Sequence, residues 1–255
     1  MFEVKNYDDN RNIQIIDAKG PFTVVEFQKD AVRALQSPIE EYFAVTMGLK
    51  KRQVICDLDS TTKPMGITTQ AGAMQWYVGN IKMVSDVNSV GNLLGNVIKS
   101  KATGDTTVKP VYKGDGTVVL EPTKEYLIIS DISQWNAGMV VQDGMFLACE
   151  SQIQQSVDMR KNLSSAIAGK EGLFNLKLKG QGYAVLKSPY PEEELIIVDL
   201  DNDELKVDGD YAIAWSGSLN FSVEKAGSSL VDSVMSKEKL VNIYRGTGRV
   251  MLRPI

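Results

Sequence analysis

The sequence predicts an all-β fold of three tandem β-repeats in a pseudo-threefold arrangement, with a few short helices. Three observations predict it. A Gly-x-Gly string returns at a fixed interval, a second block recurs beside it, and apolar and polar residues alternate around both.

The copies of the string are Lys113-Gly114-Asp115-Gly116-Thr117-Val118-Val119-Leu120, Lys179-Gly180-Gln181-Gly182-Tyr183-Ala184-Val185-Leu186 and Arg245-Gly246-Thr247-Gly248-Arg249-Val250-Met251-Leu252. Their first glycines stand 66 residues apart both times. Short alternations such as Phe174-Asn175-Leu176-Lys177-Leu178 precede them and β-branched runs follow. That pattern predicts a β-hairpin whose glycines supply the positive φ of a tight turn. Lys19-Gly20-Pro21-Phe22-Thr23-Val24-Val25, after Ile13-Gln14-Ile15-Ile16, is a degenerate copy and predicts a fourth hairpin.

The second block reads Val141-Gln142-Asp143-Gly144-Met145-Phe146-Leu147-Ala148 and Val207-Asp208-Gly209-Asp210-Tyr211-Ala212-Ile213-Ala214, with a shorter relative in Gln70-Ala71-Gly72-Ala73-Met74-Gln75-Trp76. Three blocks against four hairpins suggest a ring in which the last hairpin, residues 240–254, closes beside the first and removes exposed edges. Amphipathic stretches at Val90–Ile98, Asp158–Ala168 and Ser228–Met235 predict short crossing helices, with Gly104 and Gly169 as stops. Ser37-Pro38-Ile39-Glu40 is a capping box with proline at the first helical position, so residues 38–47 form a helix that Gly48 ends. No linker rich in Pro, Gly or Ser divides the chain. The expected organisation is a single domain, 1–255, with repeats over about 13–105, 106–170 and 171–238 and a closing hairpin at 239–255.

Composition narrows the function. Of 255 residues, 24% are charged and 43% hydrophobic, which is ordinary globular usage and excludes a disordered or rod-like chain. A net charge of -4 gives no global attraction to phosphate backbones and disfavours nucleic acid as a partner. Two cysteines, Cys56 and Cys149, and no histidine exclude a disulfide framework, a four-ligand zinc site and histidine-based triads; both thiols are expected buried and reduced. Residues 1–12 lack a basic and then an apolar region, and no apolar run reaches membrane-spanning length, so the expected address is the cytosol.

The motifs Gln70–Trp76, Asp143–Ala148, Gly172-Leu173-Phe174-Asn175-Leu176 and the Gly-x-Gly strings resemble the altered-inheritance-of-mitochondria-24 family, in order and from about residue 13 to the C-terminus. The resemblance implies a fold similar to the double-stranded β-helix of the tryptophan RNA-binding attenuator protein. It also implies, for eukaryotic members, a part in mitochondrial inner-membrane organisation and respiratory assembly. It carries no catalytic residue and no cofactor.

Several residues invite chemistry. Val54-Ile55-Cys56-Asp57-Leu58-Asp59-Ser60-Thr61 resembles the first motif of haloacid dehalogenase-like phosphatases, with Asp57 as nucleophile and Asp59 as acid. That chemistry needs a doubly wound α/β scaffold, whereas β-repeats surround this motif, so a strand end and turn is the expected reading. Asp199-Leu200-Asp201-Asn202-Asp203-Glu204 imitates a calcium loop but has glutamate where that loop needs glycine, and is expected to be a β-hairpin loop, with weak divalent-cation binding left as the alternative. Lys19, Lys113, Lys179 and Arg245, one before each turn, would fall on a ring if the repeats are related by rotation, and would then offer a basic annulus to an anionic ligand or RNA. Trp76, Trp135, Trp215, Met74, Met145 and Phe146 fit a β-layer core. The expectation is a non-enzymatic scaffold or interaction module whose partner is a protein or another copy of the chain. The alternatives are an anion- or RNA-binding module using the basic annulus and a phosphatase using Asp57 and Asp59. Peripheral membrane contact rests on the family resemblance and on Val90–Ile98.

Overall fold

The computed structural model describes residues 2–7, 10–29, 46–61, 66–85, 109–159, 174–224 and 241–254, together with Ile39, Tyr42 and Phe43. Among the described residues sixteen strands form two sheets, and every pairing is antiparallel.

An N-terminal hairpin, β1 (Ile13–Lys19) and β2 (Phe22–Phe27), turns at Gly20 and Pro21 with Lys19 opposite Phe22. Three units of similar plan follow. The first holds β3 (Arg52–Leu58), β4 (Ile67–Thr69), β5 (Met74–Ser85) and β6 (Pro110–Leu120). The second holds β7 (Tyr126–Asp131), a 3-10 turn at Ile132–Gln134, β8 (Met139–Val141), β9 (Phe146–Glu150), β10 (Gln154–Met159), β11 (Phe174–Lys179) and β12 (Tyr183–Ser188). The third holds a 3-10 turn at Glu192–Glu194, β13 (Ile196–Asp208), β14 (Ala212–Ser216), β15 (Asn220–Glu224) and β16 (Val241–Leu252).

The plan recurs down to register. Leu120, Leu186 and Leu252 pair with Met74, Phe146 and Ala212, the first strand residues after the block glycines Gly72, Gly144 and Gly209. Each time the block strand then skips one residue, Gln75, Leu147 or Ile213, in a bulge. On the other flank Tyr112, Leu178 and Tyr244 pair with Ile67, Met139 and Leu205. The Gly-x-Gly strand is therefore the last and central strand of each unit, flanked by the strands before and after the block.

This register corrects the hairpin reading of the glycines. Gly114 and Gly116 lie inside β6, and Gly246 and Gly248 lie inside β16. Gly180 and Gly182 join β11 of one sheet to β12 of the other. Each pair bends a strand rather than reversing it, as glycine does at barrel corners. All six have positive φ, between 123° and 159°, so the requirement for glycine is real although its purpose is different. Only the degenerate copy at Gly20 is a true hairpin. Ring closure by the last hairpin is corrected as well: β16 pairs with β13, β14 and β15, while the N-terminal hairpin lies along β3.

The first sheet runs β1-β2-β3-β6-β4-β9-β12-β7, with β5 also on β6, and curls until the Lys19 Nζ on β1 donates to the Ile129 carbonyl on β7 at 3.1 Å. The second runs β10-β11-β8-β14-β16-β13, with β15 also on β16, and stays open. Units are stitched together by β4 on β9 and by β8 on β14. Period-two alternation sends neighbours into different cores. Leu127 and Ile129 face a cluster with Phe22, Val24 and Val118, whereas Ile128 faces one with Trp135, Met139 and Leu186. A third cluster packs Trp215 with Phe221 and Tyr244 at ring-centroid distances of 5.6 and 5.3 Å.

Ile39, Tyr42, Phe43 and Thr46 are helical, the Met47 amide donates to the Phe43 carbonyl, and Gly48 follows with φ 68°; the rest of the expected helix over 38–47 lies outside the described residues. The expected helices at Val90–Ile98 and Ser228–Met235 lie outside the described residues, as do Gly104 and Gly169. So does that at Asp158–Ala168, save Asp158 and Met159, which end β10.

Candidate functional site

The basic annulus divides on inspection. Lys113 and Lys179 occupy equivalent positions beside the first glycine of their strands, opposite Lys82 and Gln154, and both are exposed. Neither has an ion pair among the described residues. Arg245, in the same register opposite Asn220, is clamped between Glu204 and Glu224, with Nη1 2.8 Å from Glu224. Those two carboxylates raise the Arg245 pKa and are themselves held below their ordinary range. Lys19 belongs to the hairpin rather than to a unit, and pairs with Asp17 at 3.1 Å. Two of the four cations are thus neutralised in place.

Asp57 is an exposed residue of β3 whose Oδ1 accepts from the Thr117 hydroxyl at 3.0 Å. Asp59 accepts from the backbone and hydroxyl of Thr61, at 2.8 and 2.7 Å. Asp115, between the glycines of β6, accepts from the Ser60 amide and hydroxyl, and those bonds hold its carboxyl below the ordinary range. The three carboxylates fasten a turn to the bend beside it, and their strands are antiparallel.

The acidic stretch 199–204 lies inside the single strand β13 instead of forming a hairpin loop; Asp201 and Asn202 bulge where Leu200 and Asp203 pair with Gly248 and Gly246. Its charges meet arginines: Asp199 with Arg249 at 2.8 Å, and Glu204 with Arg245. Among the described residues, no group of three or more Asp, Glu, Cys or His side chains is placed to hold a metal ion.

A polar device at the bends was not visible in the sequence. Glu150, at the end of β9, is buried and accepts from the Tyr183 amide at 2.9 Å; Ser216, its counterpart at the end of β14, accepts from the Arg249 amide at 2.9 Å. Tyr183 and Arg249 each directly follow a Gly-x-Gly. Where a bulge or break takes strand away from strand, a side chain satisfies the amide that the ladder abandons. In the first unit the pairing of Val78 with Thr117 continues and no substitute is needed. The only hint in sequence is a charged residue ending an apolar run, Phe146-Leu147-Ala148-Cys149-Glu150.

A second cluster also escaped sequence reading. Glu26 takes Arg52 at 2.7 Å and Lys50 at 2.9 Å, and the Arg52 guanidinium stacks 4.0 Å from the Tyr126 ring. Burial pushes the Glu26 pKa up, but the Lys50 hydrogen bond and the two positive charges outweigh it, leaving the carboxyl below its ordinary value. The Arg52 Nη1 is buried without a hydrogen-bond partner among the described residues.

Cys56 and Cys149 are free and buried, and burial raises both thiols, Cys149 to about 12. Neither is a nucleophile at neutral pH. Trp135, Trp215, Met145 and Phe146 are buried, and Met74 packs against the first core, as a structural reading requires. Trp76 is half-buried, edge-on to Tyr7 at 6.2 Å.

The model of the family described as "Mitochondrial biogenesis AIM24" matches residues 48–255. An uncharacterised protein of Streptococcus pyogenes serotype M6 is 23% identical over 193 residues, which is 73% of this chain and 75% of that one. The crystal structure of a Streptococcus pyogenes protein superposes with a TM-score of 0.56 at 20% identity, covering 95% of this chain and 93% of that one, a likeness of fold.

Proposed function

This chain belongs to the mitochondrial biogenesis AIM24 family, and on that premise we propose that it is an interaction scaffold that performs no chemistry of its own. One observation carries the reading. The polar side chains at the bends of the repeated units are spent on the chain itself: Glu150 on Tyr183, Ser216 on Arg249, and Asp115 on Ser60. An enzyme evolved on such a frame would aim convergent polar groups at a shared space instead. The test is turnover. Purified chain offered p-nitrophenyl phosphate and activated esters should hydrolyse them no faster than its Asp57→Asn and Asp59→Asn variants; a rate that either substitution abolishes would overturn the proposal and restore the phosphatase.

The finer form of the reading, support of a membrane complex through peripheral contact, draws on the family alone. Among the described residues no helix is long and apolar enough to cross a membrane. A bacterial cytoplasm is the proposed setting, supported by the streptococcal relative and the two unpaired thiols.

A second reading, an anion-binding module, is favoured by the exposed and register-equivalent Lys113 and Lys179. Replacing both with glutamate should then weaken binding of a short RNA or polyphosphate and flatten its salt dependence by roughly two counterions. No binding at low salt would end that reading.

A further inference from the structure

The second sheet is open, and β13 is its outermost strand. It runs for 13 residues, pairs with β16 on one side, and meets no other strand among the described residues. A sheet edge of this kind presents backbone donors and acceptors that an incoming strand can extend. Its first half is regular and carries two exposed aliphatics, Ile196 and Ile197, 48% and 44% exposed. The bulge at Asp201 and Asn202 interrupts the second half.

Charge states which strand would fit. Glu192, Glu193 and Glu194 lead into β13, and Asp201, Asp203 and Asp208 follow the isoleucines; none has an ion pair among the described residues. The single cation of the strand, Lys206, is held by Glu204 at 3.0 Å. These six carboxylates exceed the net charge of the whole chain, -4. A second copy joining β13 to β13 would set carboxylate beside carboxylate, which is destabilising, and nucleic acid is repelled.

We propose that the edge of β13, centred on Ile196–Leu200, docks an extended lysine- or arginine-rich segment of a protein partner as an added strand, aliphatic residues against the isoleucines and bases against the flanking carboxylates. This rests on the interaction-scaffold reading and names its surface. Main-chain bonds would supply affinity and the charges selectivity.

The probe is a fluorescein-labelled peptide of about eight residues alternating lysine and valine, titrated by anisotropy into the full chain at low salt. Its control has the same charge with proline in place of valine, which cannot donate to a ladder. The alternating peptide should bind at least about tenfold more tightly than the control, and the variants Asp201→Lys/Asp203→Lys and Glu192→Lys/Glu193→Lys/Glu194→Lys should each lose about tenfold. Hydrogen exchange at residues 196–200 should slow on binding. Equal binding of the two peptides, no binding, or protection in the free chain of those amides at 196–200 that do not donate to β16 would each overturn the proposal. The two variants lie on different elements, so one misfolding still leaves the other to decide. Failure here leaves the scaffold reading standing, because that reading is decided by turnover and not by this edge.

Discussion

A Cβ added at Gly114 would sit 2.0 Å from the Asn80 carbonyl oxygen, at a φ of 126° that other residues avoid. At Gly180 the φ is 131° but the nearest atom lies 3.7 Å away. The pair separates two costs that a glycine can carry. Gly180→Ala should lose only the backbone term, about 1–2 kcal/mol, whereas Gly114→Ala adds a clash with a main chain that cannot rotate aside and should lose at least about 3 kcal/mol; urea titrations of the two variants measure the difference. Glu26 offers a test by pH. Its folded pKa lies below the ordinary 4.5, so the stability it contributes is complete above that value and drains away as pH falls through the lower, folded one. Glu26→Gln leaves Arg52 buried without its carboxylate and should cost about 3 kcal/mol at pH 7. As pH falls from 4.5 through the lower folded pKa the gap between the two proteins should shrink, and a gap that stays constant down the acid limb would exclude the mechanism.

Among elements, the N-terminal hairpin stands apart because the family match begins at residue 48, after it. It is nevertheless built into the first core: Phe22 and Val24 are fully buried, and β2 pairs with β3 from Phe22 opposite Cys56 to Glu26 opposite Arg52. Phe22→Ala should therefore cost about 3–5 kcal/mol, as in any packed core, and calorimetry would show it as a lowered midpoint. A loss below about 1 kcal/mol would mean the hairpin rests on a body that folds without it. The hairpin also shows where sequence reading succeeds and where it stops. Gly20-Pro21 between two alternating runs was legible as a turn because the strands on either side are short and local. The other three copies show the same glycines amid the same alternation, and although their φ of 123–159° differs from the 59° of Gly20, nothing in the local sequence distinguishes a strand that reverses from one that bends. What decides is the partner strand, at least 25 residues away in sequence for β5 and β6. The acidic run 199–204 was misjudged for the same reason, since Arg245 and Arg249, which make it a strand, come later in the chain.

For the molecule as a whole, the 66-residue interval was enough to foresee an all-β body of recurring units, because repetition of apolar register survives where local chemistry varies. The site was less legible. Four cations at matching sequence positions looked alike, yet carboxylates from other strands neutralise Arg245, and Lys19 lies on another element. The units are also less separable than the interval suggests. β4 of the first lies on β9 of the second, β8 of the second lies on β14 of the third, and both faces of the second unit's strands line a core. A unit therefore cannot unfold without stripping the ladder of its neighbour, and the chain should melt as one body. Leu120 and Leu186, both fully buried at the same register, test this in different units. Alanine at either should cost about 2–5 kcal/mol and move a single transition, with far- and near-ultraviolet circular dichroism coincident. Leu252, their half-buried counterpart, should cost less. If Leu186→Ala instead splits the melt while Leu120→Ala leaves one phase untouched, the units fold independently, and the stitching by β4 and β8 carries little of the stability.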